Sequence, residues 1–478
     1  MNKTIQRFTL RRARPAMTAL AVGMVLAGCS LIPTYERPAA PVPSTFPNDP
    51  VQPTGAAPAT VAWQDFFTDT RLRGLIETAL ANNRDLRVSV LNIEQARAQF
   101  QIQRSAQFPA VGLSGSGSRA SPNIYQAFGG GSVSSSYAVN LGITAWELDF
   151  FGRIGSLKEQ ALAQYLATEE SRKAAQISLI AAVANGWLTV LADDELLEIT
   201  RQTLGTRDES VRLTKLRFEN GVSSEIDYQL ANSLAETARA SYAQLQRQRA
   251  QDENALALLV GAPVPATSLT GIERGLSTAA VMADVPAGLP SDLLTERPDI
   301  RAAEQQLIAA NASIGAARAA FFPRFSLTGA IGTQSTEFSN LFSAGTKAWS
   351  FSPSITLPIF NAGLNQANLD ISRASQQIAV AQYEKTIQTA FREVADALAG
   401  RSTYGEQVRA LRAQTEAEAT RFRLQDLRYR NGISSSLDLL DAQRSLFTAQ
   451  QAATQARLQQ LQNQVTLYKA LGGGWTER

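Results

Sequence analysis

The chain has no histidine among its 478 residues, and Cys29 is its only cysteine. These absences exclude histidine-based catalytic triads, histidine-ligated zinc and intramolecular disulfides. Neither a GxxxxGK[ST] phosphate loop nor a GxGxxG segment that opens a helix after a strand occurs in the sequence. No cluster of carboxylates suggests an enzyme that works with acids alone. We therefore predict a protein that is not an enzyme, has no metal site and uses no cofactor.

Positive charge is scarce once the N-terminus is set aside. The chain contains 45 lysines and arginines against 42 acids, but five of these basic residues precede residue 29, where no acid occurs: Lys3, Arg7, Arg11, Arg12 and Arg14. The remaining 40 basic residues face 42 acids, which gives a net charge near −2. This balance argues against a nucleic-acid partner.

Residues 1–28 have the pattern of a signal peptide. Basic residues are followed by an apolar stretch, Thr18–Leu26, that is too short to span a bilayer. The stretch ends in Leu-Ala-Gly-Cys, which resembles the lipobox of bacterial lipoproteins. The resemblance implies that Cys29 becomes the first mature residue and carries a covalent diacylglycerol and an N-acyl chain, and Ser30 after it favours the outer membrane. An ordinary signal peptide with an incidental cysteine is the alternative.

Residues 29–62 are rich in proline, with eight of the chain's nineteen prolines between Pro33 and Pro58. Proline fixes φ and lacks a backbone donor, so this composition suits neither a helix nor a central strand. We predict an extended tether between the lipid and the folded body.

The rest of the chain is an internal duplication. The segment Leu213–Asp227, LTKLRFENGVSSEID, matches Leu424–Asp438 at eight of fifteen positions without a gap. At an offset of 214, Asn83–Gly115 also aligns without a gap with Arg297–Gly329. Self-similarity of this kind indicates repeated units. We predict a first repeat at 63–260, a connector rich in Gly, Pro, Thr and Ala at 261–290, and a second repeat at 291–478.

Each copy of the tip motif predicts a helical turn. Asn-Gly readily adopts positive φ and ends a helix, and Ser-Ser three residues before Asp offers an N-cap and an acid at N3 for the next helix. The predicted tips lie at about 220–224 and 431–435. Proline-free helical patterns lead into them over Arg153–Glu219 and Gly363–Arg430, each about 100 Å long at helical rise. Shorter helices return to about Val260 and Leu471.

Period-two patterns predict two strands in each repeat, at about 109–119, 135–147, 324–333 and 349–360. Tyr137, Val139, Leu141, Ile143 and Ala145 define an apolar face, and small or polar residues alternate with them. This pattern suits a transmembrane barrel or a soluble sheet packed on helices. Pro353 and Pro358 predict a bulge, a bend or lost pairing. Four strands cannot close a barrel, so a membrane protein would pool eight strands in a dimer or twelve in a trimer.

Two acids at the second tip lie on one helix face. Asp438 is at N3, where a carboxylate favours the helix dipole whatever the function. Asp441 lies past the first turn, and its counterpart in the first repeat is Leu230. We therefore expect Asp441 to be functional, as part of a ring of acids if several copies surround one axis.

The lipobox, the tether, the duplication and three motifs together resemble the outer-membrane factors of tripartite efflux pumps, of the TolC/OprM type and its lipidated multidrug branch. The motifs are WELDFFGR (146–153), LPIF (357–360) and LDAQR (440–444). The resemblance implies a mainly α-helical homotrimer in which four strands per chain are pooled into a twelve-strand barrel in the outer-membrane lipid. It implies a passive duct that exports drugs or other small toxic compounds. Its partners would be a periplasmic adaptor protein and an inner-membrane transporter of the resistance-nodulation-division type.

The resemblance also implies roles for residues at the tips. Leu437 and Asp441 match the constriction of the lipidated branch, and Asp438 with Asp441 matches paired acid rings. Asp227 and Tyr429 match a closing hydrogen-bond network, Arg444 is expected to support the gate, and Ser434 stands where the TolC type has an arginine. The expected adaptor contacts are Asn220, Gly221, Val222, Asn431, Gly432 and Ile433.

Two alternatives remain open at the level of the sequence. One is a structural coiled-coil lipoprotein held only by its acyl chains, with the strands as a soluble cap. The other is an exit duct for protein or metal export. The chain has only four methionines and shows no methionine-rich or cysteine-rich path for a metal.

Overall fold

The structure is a computed structural model that describes residues 30–47, 61–121, 133–269, 275–278, 282–283 and 292–475. The predicted signal peptide 1–28, the predicted lipid-bearing Cys29, part of the tether and most of the connector lie outside these residues. The chain divides into two compact units. The first contains residues 30–38, Ile93–Thr168 and Ala303–Tyr383, and the second contains the described parts of Ala39–Asn92, Glu169–Ala302 and Glu384–Arg478.

The element order repeats as the duplication predicts. The first half contains α1 (Trp63–Phe66), α2 (Thr70–Asn82), α3 (Arg84–Ser105), β1 (Val111–Ala120), β2 (Ser134–Leu148), α4 (Arg153–Glu219) and α5 (Glu225–Val260). The second half contains α6 (Leu293–Glu296), α7 (Pro298–Ala319), β3 (Arg324–Ser335), β4 (Lys347–Thr356), α8 (Leu364–Arg430) and α9 (Ser436–Ala470). Short 3-10 turns lie at Ala266–Leu269, Gly275–Thr278 and Phe338–Asn340.

The first unit holds one antiparallel sheet in the order β1-β2-β3-β4. Its register aligns apolar side chains into a row across all four strands: Leu113, Leu141, Ile331 and Trp349. The neighbouring row on the opposite face is small and polar: Ser114, Asn140, Gly332 and Ala348. Within the described residues, β1 and β4 each pair on one side only.

A β-bulge interrupts the predicted alternation of apolar and polar residues in β2. The register shifts between Ile143 and Trp146, and Ala145 has a φ of 48° while its N–H donates to Thr328 Oγ1 at 3.1 Å. Ala145 therefore does not continue the apolar face. The extra residue places Trp146 opposite Leu327, so the apolar face resumes one position later.

Pro353 does not interrupt β4, contrary to the bulge, bend or lost pairing expected at this residue. It pairs with Leu327 in unbroken register. The strand ends at Thr356, so Leu357 to Phe360, which the sequence placed in it, lie beyond it.

The WELDFFGR motif closes the connection from β2 to α4. Arg153 donates two hydrogen bonds to Glu147, at 2.8 and 2.6 Å, and Asp149 accepts from the backbone N–H of Gly155 at 2.7 Å. Phe151 stacks on Phe322 with ring centroids 4.7 Å apart. The motif therefore fixes the start of the long helix against the end of the sheet.

The predicted tether is docked where the structure describes it. Along residues 30–38, the carbonyls of Leu31 and Pro33 accept from Arg318 and Asn311, and Arg37 pairs with Glu304 at 2.7 and 2.9 Å. Six extended residues cover about 20 Å, which matches the rise of about 21 Å over the fourteen helical residues they follow. This part of the tether is therefore a strap that runs antiparallel along α7.

The core of the second unit is built on the apolar stripes of the long helices. Ile180, Trp187 and Leu191 of α4 are fully buried. Phe66 stacks on Tyr468 at 4.0 Å, and the Tyr468 hydroxyl donates to the Val61 carbonyl at 2.7 Å. One segment of α4 is long and apolar enough to cross a membrane. Of this segment 61% is buried, as expected for a core helix. The apolar side chains of α8 are only partly in the core, because Ile371 and Ile378 in the first unit are exposed.

Candidate functional site

The first tip joins α4 to α5 through a left-handed cap. Gly221 has a φ of 72°, and the N–H of Val222 donates to the Arg217 carbonyl at 2.8 Å. Ser224 and Asp227 then form a capping box, with Asp227 N donating to Ser224 Oγ at 3.1 Å. The motif therefore produces both the end of one helix and the start of the next.

The second tip repeats this geometry between α8 and α9. Gly432 has a φ of 74°, Ile433 N donates to the Arg428 carbonyl at 2.9 Å, and Ser435 and Asp438 form the capping box. The hydrogen bonds from Ser435 lower the pKa of Asp438. Asp438 thus serves the helix start, as the sequence alone suggested.

The six residues expected to contact an adaptor all lie at these two turns. Val222 and Ile433 present exposed apolar side chains. Asn220 and Asn431 turn their amides back onto their own helices, each donating to a carbonyl one turn earlier at 2.7 Å. The apolar residues are therefore the ones with side chains free to meet a partner, while the asparagines cap the helices.

Asp227 connects the two tips. Its carboxylate accepts from Ser436 at the start of α9 and from Ser224 Oγ at 2.7 Å. The hydrogen bond from Ser436, followed by that from Ser224, lowers the pKa of Asp227. Tyr429, expected in the same network, has a different contact, because the Arg217 guanidinium lies 5.0 Å from the centre of its ring. Asp227 and Tyr429 thus each join the two hairpins through separate pairs.

Asp441 lies between two arginines. One carboxylate oxygen accepts from Arg421 of α8, and the other accepts from Arg444 Nη2 at 2.5 Å. Arg421 also donates to Glu418 at 3.0 Å. The hydrogen bond from Arg421, followed by that from Arg444, lowers the pKa of Asp441. The acid therefore stays ionised and fastens α8 to α9 near the tip, with Leu437 exposed one turn away.

This charged triad is specific to the second repeat. Arg421, Asp441 and Arg444 correspond to Ser210, Leu230 and Ser233 in the first repeat at the offset of 211. Sequence reasoning identified Asp441 and Arg444 but missed Arg421. Comparison of the repeats could have identified Arg421. It lies ten residues before Asn431 and Asp441 lies ten residues after it, so the two residues are at the same distance from the turn of a helical hairpin.

A groove of about 900 Å³ lies between the two hairpins above the tips. Its apolar lining includes Leu213 of α4 with Leu439 and Leu440 of α9. Its rim is charged but compensated, because Asp426 pairs with Arg430 at 2.9 Å. Among the residues with described positions, no group of three or more acids or cysteines is arranged to hold a metal ion.

The chain is similar to known outer membrane channel proteins over most of its length. The family model for outer membrane efflux protein matches residues 75–262 and 289–473. Two relatives from Pseudomonas putida, "Antibiotic efflux pump outer membrane protein ArpC" and "Toluene efflux pump outer membrane protein TtgC", are each 50% identical over 469 residues, covering 97% of this chain and 96% of the relative. The open-state MtrE outer membrane channel of Neisseria gonorrhoeae superposes with a TM-score of 0.83 and 43% identity, covering 94% of this chain and 99% of the channel. The similarity therefore extends over both repeats.

Proposed function

The chain belongs to the outer membrane efflux protein family, and we propose that three copies of it form one passive duct that carries small toxic organic compounds out of the cell. As a family member it is the outer-membrane channel component of an efflux pump. The proposal adds the subunit number, the substrate class and the gate. The names of the relatives, which refer to antibiotics and toluene, support the substrate class.

The sheet is the observation that carries the proposal. Leu113 and Trp349, at the two ends of the apolar row, are 75% and 79% exposed in a single chain. Such a row is unfavourable in water and favourable against lipid, and the opposite polar face suits a water-filled interior. Open strand edges are not viable in a bilayer, so β1 and β4 need strands from other copies. Copies that pool their strands satisfy both requirements, with eight strands in a dimer or twelve in a trimer, and the family resemblance is what favours the trimer.

Exposed apolar side chains outside the sheet support association as well. Ile371 and Ile378 of α8 are exposed in the single chain, and so are Val88 and Leu91 of α3. Their helical spacing gives rows that neighbouring copies would cover. The alternative of a structural lipoprotein with a soluble cap leaves the apolar face of the sheet without a partner, so we do not favour it.

The partners follow from the place of the channel in a pump. We propose that Val222 and Ile433 at the tips meet a periplasmic adaptor protein, and that an inner-membrane transporter of the resistance-nodulation-division type supplies the substrates. Acyl chains on Cys29 would add a second attachment to the outer membrane. The duct itself needs no catalytic residue and no cofactor.

The decisive experiment is to measure the mass and ion conduction of detergent-purified protein. We expect a protein mass three times that of one chain and discrete channels in planar lipid bilayers. Changing Cys29 to alanine should remove the acyl chains but leave the assembled protein in the membrane. A monomer that is water-soluble without detergent once its lipid is removed would overturn the proposal.

Adjacent residues of β4 provide a matched pair for the orientation of the sheet. Phe351→Arg places a charge on the apolar face and is expected to cost about 2–4 kcal/mol per chain at mid-depth of the bilayer, so the yield of heat-modifiable trimer should fall. Ser350→Arg places the same charge on the polar face and should leave the trimer assembled while shifting ion selectivity toward anions. Equal loss of trimer in both variants would contradict the assignment of faces.

A further inference from the structure

Polar pairs join α4 and α9 along an antiparallel seam in the second unit. Gln462 Nε2 donates to Thr189 Oγ1 at 3.2 Å, and Thr454 Oγ1 donates to Glu195 at 2.8 Å. Closer to the tips, Gln443 Nε2 donates to Ser210 Oγ at 3.1 Å. This seam connects the hairpin of the first repeat to the hairpin of the second, which carries Asp441.

The seam contains a buried arginine without a carboxylate partner among the described residues. Arg207 of α4 is only 3% exposed, and its Nη1 donates to the Leu234 carbonyl at 2.8 Å. Its guanidinium lies 5.3 Å from the centre of the Phe447 ring on α9. Its Nε is buried and has no hydrogen-bond acceptor within the part of the chain that the structure describes. Burial, and then the neighbouring charge of Arg444, lower the pKa of Arg207.

Two other arginines of this unit have carboxylate partners that Arg207 lacks among the described residues. Arg249 is paired with Asp194 at 2.7 Å and with Glu253. Arg297 is also buried, but it is paired with Asp299 at 2.6 Å and with Glu393 at 2.9 Å. Arg297 is the other arginine among the described residues of the unit that is less than a tenth exposed, and carboxylates compensate its charge. At Arg207 the compensating groups among the described residues are a carbonyl and an aromatic ring.

Gln443 has a similar deficit on the opposite helix. It is 6% exposed, and its Oε1 is buried without a donor from any described residue, although its Nε2 is bonded to Ser210. An unsatisfied buried polar group costs about 1–3 kcal/mol, and a buried charge without a partner costs more. Both groups would recover these losses in water. The free energy gained by packing α4 against α9 near the tips is therefore smaller than the buried area of the seam suggests.

We propose that Arg207 and Gln443 bias the tips toward opening, because their buried polar groups become hydrated when α4 and α9 separate. The inference rests on the proposed gate at the tips and goes beyond it by naming residues that set its equilibrium. Both are positioning residues, since neither belongs to the Asp441 triad. In the channel, Asp441 and its two arginines hold the tip together, and Arg207 and Gln443 oppose them.

The test replaces each polar group with an apolar one of similar length. Arg207→Met and Gln443→Met are made in the wild type and in an Asp441→Ala background, and channel conductance and thermal stability are both measured. We expect each methionine to raise the unfolding temperature and to reduce the conductance of the Asp441→Ala channel severalfold. Arg207→Lys keeps the charge and should behave like arginine.

Matched controls separate this effect from general packing. Gln462→Met makes the same chemical change on the same seam about 28 Å further along α9, and should leave conductance unchanged. Arg249→Met removes an arginine that carboxylates compensate, and should lower stability without affecting conductance.

The outcomes are distinguishable from failure of the gate itself. If Asp441→Ala does not raise conductance, the gate assignment fails, and a higher unfolding temperature of Arg207→Met would still support the energetic part of the inference. If Asp441→Ala raises conductance but neither methionine reduces it, the inference is wrong. A fall in stability in both methionine variants would likewise overturn it, because it would show that the polar groups stabilise the packed seam.

Discussion

Replacing Asp441 with alanine is expected to raise single-channel conductance severalfold in planar bilayers. The change removes the carboxylate that accepts from both Arg421 of α8 and Arg444 of α9. It leaves two like charges close to each other, and these repel appreciably even in a water-like dielectric. It also shortens the side chain at the proposed constriction. Both effects favour separation of the helices at the second tip.

The control for this prediction is Asp438→Ala, one turn closer to the tip. This change removes the same charge as Asp441→Ala, but the interaction that it breaks is the helix cap. We therefore expect a loss of about 1 kcal/mol in helix stability and a much smaller change in conductance. Arg421→Ala should also raise conductance, but it should increase cation selectivity, whereas Asp441→Ala should reduce it. Wild-type conductance and selectivity in Asp441→Ala would show that the gate assignment is wrong.

The arginine partners also change the expected pH response of the gate. A ring of unpaired acids would take up protons readily under mild acid. Asp441 instead has a lowered pKa because Arg421 and Arg444 donate to it. The stability that this pairing contributes is present above the ordinary carboxyl pKa and is lost only as the pH falls below it. Protonation of Asp441 should therefore not open the channel between about pH 5 and 8.

The sequence predicted the tips well because their signals are local. Asn-Gly and Ser-Ser-x-x-Asp act within five residues, and both tips have the caps that these motifs predict. Asp441 emerged from comparison of the repeats, since Leu230 occupies its position in the first copy. Arg421 was missed because it belongs to the preceding helix and has no local motif. A pair across a helical hairpin, such as Arg421 with Asp441, can be found in the sequence only by counting equal numbers of residues backward and forward from the turn.

The strap and the bulge show where sequence patterns were insufficient. Proline-rich composition predicts extended backbone, but it does not identify the surface that the backbone follows. Tyr35 donates to Glu304, 269 positions away, at 3.0 Å, and no local pattern encodes such a contact. In β2 the alternation continues through Ala145, so the bulge cannot be read from periodicity. Its cause is the pairing with β3, which supplies the Thr328 hydroxyl.

The second large effect is expected from Asp193 of α4. This acid is 6% exposed, and one of its carboxylate oxygens is buried without a hydrogen-bond partner among the described residues. Burial, a hydrogen bond with Asp252 of α5, and the charge of that acid raise the pKa of Asp193 to about 7, although Arg249 opposes the shift. The two acids therefore share a proton at mildly acidic pH and repel each other above it.

The sign of the pH dependence follows from this raised pKa. Between about pH 4 and pH 7 the folded protein keeps a proton that the unfolded chain has released, so the free energy of unfolding falls as the pH rises through this range. Above about pH 7 the loss is complete. A difference of roughly three pKa units sets an upper limit of about 4 kcal/mol on the effect.

Asp193→Asn is accordingly expected to stabilise the protein at pH 8 by up to a few kcal/mol, with the gain disappearing near pH 4. The amide supplies the proton that Asp252 otherwise lacks, so the favourable form of the pair no longer depends on pH. Unfolding temperatures of the detergent-solubilised protein at pH 4.5, 6 and 8 measure the effect. Asp194→Asn is the matched control, because Asp194 holds Arg249 at 2.7 Å and its loss should lower stability at pH 8. A difference between Asp193→Asn and wild type that is the same at all three pH values would contradict the shared proton, because only titration of the pair makes the gain grow as the pH rises.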